Sequence, residues 1–184
     1  TFVKQAARRG LFKQSLVALA TGEQVLQNVG KSLPDGVIAA PRATGGYCAT
    51  ASSPMEKEFV AGVYKHNKRY PDYPAYRAHQ AWGGLKGAYE KAIAQNTNFE
   101  NPKGVWPTTE EVIAAFEGLI WDSPGGKIEM RSDHQAIHAG KIGVTKYSEK
   151  YGFSLLDQIK ELEVYDINPP LGMKTMDWVA GITK

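Results

Sequence analysis

Apolar residues recur along the first forty positions with two different patterns. Phe2, Val3, Ala6, Ala7 and Leu11 fall at helical spacing, with Gly10 near the stop. Leu16 to Ala20 is a continuous apolar run, the signature of a short strand buried on both faces. Thr21-Gly22-Glu23-Gln24 then opens a helix, with Thr21 as cap and Gln24 at the capping-box position. Val25, Leu26, Val29 and Leu33 form its apolar stripe, and Pro34-Asp35-Gly36 ends it. Val37 to Ala40 reads as a second buried strand. Two buried strands joined by a helix predict a parallel βαβ unit.

A loop of small residues follows from Pro41 to Ser52. Ser53-Pro54-Met55-Glu56 has a cap, a proline at the first helical position and an acid at the third, so a helix starts there. Phe59, Val60, Val63 and Tyr64 give its apolar face. Tyr70-Pro71-Asp72-Tyr73-Pro74 breaks the chain. From about Ala78 a long helix runs to about Ala94, with Trp82, Leu85, Tyr89 and Ile93 on one face. Thr108 and Glu111 box the start of another helix, whose buried side is Val112, Ile113, Phe116 and Leu119. Ser123-Pro124-Gly125-Gly126 is a turn, and Lys127 to Met130 and Ile137 to Tyr147 alternate as strands do. Leu155 to Val164 fits helix or strand, and Met176 to Val179 a last turn.

Composition narrows the class. The 184 residues are 42% hydrophobic and 22% charged, a globular balance. The 22 basic and 19 acidic residues are spread along the chain, so no clustered basic face marks a nucleic-acid partner. No apolar stretch approaches the ~20 residues of a membrane span. The single cysteine, Cys48, excludes an internal disulfide and a multi-cysteine zinc site. Thr1 lies inside a running helical pattern, which leads us to expect that the start of the protein precedes it.

Catalytic and metal motifs are weak. Gly30-Lys31-Ser32 ends a helix instead of opening one, and Val25 stands where a phosphate loop needs glycine. Asp133, His134 and His138 suggest a metal set. On an extended segment, however, the two histidines lie roughly 13 Å apart at ~3.3 Å per residue, so we expect no metal and a turn tied by Arg131 and Asp133. Cys48 has no recognisable base, and no G-x-S-x-G elbow exists. No cofactor motif appears. What remains is the rim beyond the carboxyl ends of the two predicted strands, where open α/β sheets bind ligands. Thr21, Gly22 and Glu23 lie on one rim loop, Arg42 and Tyr47 on the next. Together they offer a carboxylate, a guanidinium, a hydroxyl and an aromatic ring to a small polar solute.

At these residues the sequence resembles the type I periplasmic solute-binding proteins of ABC importers, in the branched-chain amino-acid and amide group. The matching pieces come in order: FVKQAARRGL, ALATGE, PDGVIAAP, SPMEKEFVAGVYKHNKRYPDYP, AHQAWGGLKGAYEKAIAQ, AAFEGLIWDSPGGKIEMRSDHQA and YDINPPLG. The resemblance implies an α/β fold of two lobes with Rossmann-like parallel sheets, here expected as a C-terminal half only. Residues 1–77 would belong to the C-terminal lobe, 78–137 to part of the N-terminal lobe, and 138–184 mostly to the C-terminal lobe. It implies a non-enzymatic protein in the periplasm or outside the cell, with a signal peptide in the absent N-terminal part. Such a protein captures an amino acid, amide or related organic acid between its lobes and hands it to an ABC permease. The implied ligand residues are Thr21, Gly22, Glu23, Arg42, Tyr47, His79 and Gln80. A ligand-sensing receptor of the same fold is the nearest alternative, and a hydrolase the more distant one.

Overall fold

The computed structural model describes residues 2–20, 23–42, 51–95 and 106–182. The chain opens with helices α1 (Phe2–Arg8) and α2 (Leu11–Gln14), then strand β1 (Ala18–Leu19). A 3-10 turn at Glu23–Val25 leads into helix α3 (Leu26–Val29), and strand β2 (Ile38–Ala39) follows. Helix α4 spans Pro54–Asn67, α5 Tyr73–Gln95 and α6 Thr109–Phe116. Five strands come next: β3 (Ile120–Ser123), β4 (Gly126–Met130), β5 (Ala136–His138), β6 (Gly140–Ser148) and β7 (Phe153–Leu162). Helix α7 (Thr175–Ile182) is the last element.

The strands form two sheets, one in the order β1-β2-β6-β7 and one in the order β3-β4-β5. β1 and β2 pair in parallel, so the expected βαβ unit is present. Among the described residues every other pairing is antiparallel, which corrects the expectation of parallel sheets. The reason is connection length. Only the residues between Ser148 and Phe153 join β6 to β7, and so short a link permits antiparallel pairing alone. Gly143 marks an irregularity in this ladder, between Ile142 and Val144. A Cβ there would lie 2.7 Å from the Asp157 carbonyl oxygen, so the chains can approach only because the side chain is missing.

The first core gathers Leu26, Leu33, Val37, Ala39 and Phe153, with Val17 and Leu19 packed against it. Thr145 on β6 is buried there. Its hydroxyl donates to the Pro34 carbonyl (2.7 Å) and accepts from the Val37 amide (3.1 Å), fixing the entry to β2. β1 is not buried on both faces as its composition suggests. Leu16, ahead of the strand, is 82% exposed, while Val17 and Leu19 pack against the core. The stripe on the following helix is narrower than expected: Leu26 and Leu33 are buried, while Val25 is exposed.

The long helix α5 buries a different face from the one its large apolar residues predict. Tyr76, Gln80, Gly84, Ala88 and Ala92 face inward at four-residue spacing, whereas Trp82 and Ile93 are exposed. Small residues let the helix sit close to its neighbours. A Cβ on Gly84 would lie 2.7 Å from Trp121 Cζ2, so the indole of β3 rests directly on the helix backbone. Ala88 and Ala92 meet Val112 and Ala115 of α6 in a second core. α6 begins with the expected capping box between Thr108 and Glu111. The first turns of α5 instead touch α4, where Tyr76 stacks edge-on to Phe59 and its hydroxyl donates to Glu56 (3.1 Å). The ambiguous segment Leu155–Val164 is mostly the strand β7.

Candidate functional site

The parallel pair delivers two chain segments to one rim. Beyond β1 comes Glu23, and beyond β2 comes Arg42. The Glu23 carboxylate is buried, and its Oε1 accepts from both the Arg42 amide (3.2 Å) and Arg42 Nε (3.0 Å). Its Oε2 is buried too and has no hydrogen-bond partner among the described residues. Glu23 holds the Arg42 guanidinium above the ordinary arginine range, chiefly through this hydrogen bond. Arg42 also lies flat over the ring of Tyr73, 3.5 Å from its centroid.

A second arginine ties the rim to α5. Arg77 donates from one guanidinium nitrogen to the Arg42 carbonyl and from the other to Gln80 Oε1 (3.1 Å). Gln80 is buried. Its amide nitrogen reaches Ser123 Oγ at 3.4 Å, and its carbonyl accepts from Trp121 Nε1 (2.9 Å). Burial pushes the Arg77 guanidinium below its ordinary range. Of the seven residues named from the sequence, Glu23, Arg42 and Gln80 are therefore drawn into one connected group. His79 is turned away, edge-on to Phe59 at 5.4 Å, because adjacent helical residues project in different directions. Thr21, Gly22 and Tyr47 lie outside the described residues, as does Cys48.

Sequence reasoning missed Tyr73 and Arg77. It treats Pro74 as a break, but a proline in the first turn is compatible with helix, and α5 begins at Tyr73. Arg77 and Gln80 then share a face at three-residue spacing, a signal that an earlier helix start would have exposed. Glu56 is also buried, with its carboxylate taken up by the Ser52 amide and hydroxyl and by Tyr76.

The histidine segment behaves as a turn. Arg131 pairs with Asp133, and His134 lies 3.1 Å from Glu117. His138 places Nδ1 2.5 Å from the Ala139 carbonyl, so that nitrogen carries the proton. Among the described residues no three His, Cys, Asp or Glu side chains gather in a way that could hold a metal ion. None of the described helices is long and apolar enough to cross a membrane.

The profile of periplasmic binding proteins matches residues 1–150. The chain belongs to the periplasmic binding protein family. Solved structures agree on the fold. A solute-binding protein of an ABC transporter from Rhodopseudomonas palustris BisB5, in complex with 3,4-dihydroxybenzoic acid, is 24% identical with a TM-score of 0.69, over 89% of this chain and 41% of that one. An ABC-type branched-chain amino acid transporter from Rhodopseudomonas palustris CGA009 is 24% identical with a TM-score of 0.65, over 86% and 39%. A leucine-binding protein from Thermotoga maritima MSB8 is 16% identical with a TM-score of 0.57, over 86% and 40%. No curated protein matches the chain significantly.

These findings correct one expectation. The family likeness is not confined to a C-terminal half, nor is the fold present only as a C-terminal fragment: the likeness runs through nearly the whole chain, residues 1–150 by profile and 86–89% by structure. The chain spans about 40% of the length of the structures it matches. Its fold is the α/β type I fold typical of extracytoplasmic solute-binding proteins, which hold small organic ligands between two lobes. Two of these structures are named for ABC transporters and the third for leucine binding.

Proposed function

We propose that this protein captures a small organic solute outside the cytoplasm and delivers it to an ABC permease. The solute is an amino acid, an amide or a related organic acid. The observation that carries the reading is the linked group Glu23–Arg42–Arg77–Gln80. It lies beyond the carboxyl ends of a parallel strand pair, where α/β sheets take ligands, and it continues onto the helix that leads to the second sheet. Relatives of this fold carry solutes of this size, one of them a dihydroxybenzoic acid and another leucine by name. In this reading the two sheets are the cores of two lobes, with crossings near Ala78 and Ile137 and segments 1–77, 78–137 and 138–184. Thr21, Gly22 and Tyr47 complete the ligand contacts, and the cleft closes by a hinge. The site of action is the periplasm or the cell exterior.

A thermal-shift screen of the purified chain against amino acids, amides and aromatic acids tests this. One chemical class is expected to raise the melting temperature in a saturable way and to be recovered unchanged. Chemical conversion of the stabilising compound would argue for the hydrolase instead.

A further inference from the structure

Between α5 and the three-stranded sheet lies a cavity of about 300 Å³, at the small end of the range for ligand pockets. Its walls are apolar and partly aromatic: Phe116, Trp121, Ile128 and Met130, with Arg77 and Gln80 at one end. Trp121 is held in place by its hydrogen bond to the Gln80 carbonyl and by the bare backbone of Gly84 beneath its ring. The wall is thus pre-organised. Among the described residues Arg77 is the only charged group lining the cavity. Its hydrogen bonds go to neutral acceptors, the Arg42 carbonyl and Gln80 Oε1, and no carboxylate among the described residues forms an ion pair with it.

A half-buried guanidinium without a counter-charge among the described residues carries part of a desolvation cost, and an anion that forks onto it relieves that cost. A planar carboxylate matches that fork, and the body behind it must be apolar to fill the remaining walls. An ammonium group would meet Arg77 at one end and hydrocarbon at the other, so a zwitterionic amino acid fits poorly. We propose that this cavity binds a small carboxylic acid with an apolar or aromatic body, its carboxylate on Arg77 and its ring or chain against Trp121 and Phe116. This names the solute class of the proposed function and rests on that reading. Burial has already lowered the Arg77 proton affinity, and a bound carboxylate reverses that shift.

Titration calorimetry of the 184-residue chain with benzoate, benzamide and leucine tests the assignment. Benzoate is expected to bind, with benzamide weaker by at least about tenfold, since it keeps the shape and loses the charge. Arg77→Met is expected to weaken benzoate by about thirtyfold or more, the usual consequence of removing one partner of a desolvated pair. Ala81→Leu fills the cavity from an exposed helix position and leaves Arg77 in place, so it is expected to block benzoate even if Arg77→Met folds poorly. Benzamide or leucine binding as tightly as benzoate, or benzoate affinity unchanged in both variants, overturns the carboxylate site and leaves solute binding intact. Failure of every class in the thermal-shift screen overturns the proposed function itself, and this site with it.

Discussion

Glu23 was legible as a rim residue because it follows an apolar run and precedes a helical stretch. Its partner was legible only as a nearby charge. What the sequence could not show is that Oε1 is shared between the amide and the side chain of Arg42, since a carboxylate aimed at solvent and one aimed at a neighbouring loop look alike in one dimension. Glu23→Ala removes two hydrogen bonds from a buried position and is expected to cost about 1–3 kcal/mol of stability, read from urea unfolding. A loss below about 0.5 kcal/mol, the range of surface substitutions, would place Glu23 among solvated charges. His138 gives a pH test. Burial, aided by the charge of Arg77, depresses its proton affinity, and the contact with the Ala139 carbonyl opposes this only in part. The unfolded chain therefore binds the proton more readily. The stability linked to His138 is full above the unfolded value of ~6.5 and declines as pH falls below it towards the folded value. Unfolding midpoints measured between about pH 8 and pH 5 are expected to fall, and His138→Gln to flatten the slope. An identical slope in the variant contradicts the account.

Elements with their own punctuation were readable. The Ser53–Glu56 start of α4, the Thr108–Glu111 box of α6 and the turn before Gly126 all appear where local chemistry puts them. Thr108→Ala removes the acceptor for the Glu111 amide and is expected to lower stability by about 1 kcal/mol, measured by denaturant titration. The face of α5 was misread because size was taken as the sign of burial. Here the buried face is built from Gly84, Ala88 and Ala92, while the bulk comes from Trp121 and α6, far along the chain. That inversion makes a sharp prediction. Gly84→Leu gains helix propensity and still is expected to destabilise by about 1–3 kcal/mol, because its side chain must displace the indole. A neutral or stabilising result would mean that Trp121 does not rest on the helix. Strand direction was harder still. Pairing depends on which segments meet in space, and β6 enters beside β2 from over a hundred residues away, antiparallel to it.

At the scale of the whole molecule, two sheets are joined by α5 and by the single residue between β5 and β6. The resemblance carried by ordered sequence pieces holds for the family, whose profile matches residues 1–150. It misjudged the extent, since the likeness reaches through nearly the whole chain. The proposed function is that this chain binds a small organic solute and does not transform it. Equilibrium dialysis of the purified chain against a mixture of carboxylic acids, amides and amino acids, followed by mass-spectrometric quantification of bound and free pools, tests that claim most directly. Saturable retention of one chemical class at one molecule per chain is expected, with the total of that compound conserved. Retention of no class, or depletion of a compound with the appearance of its product, would contradict it.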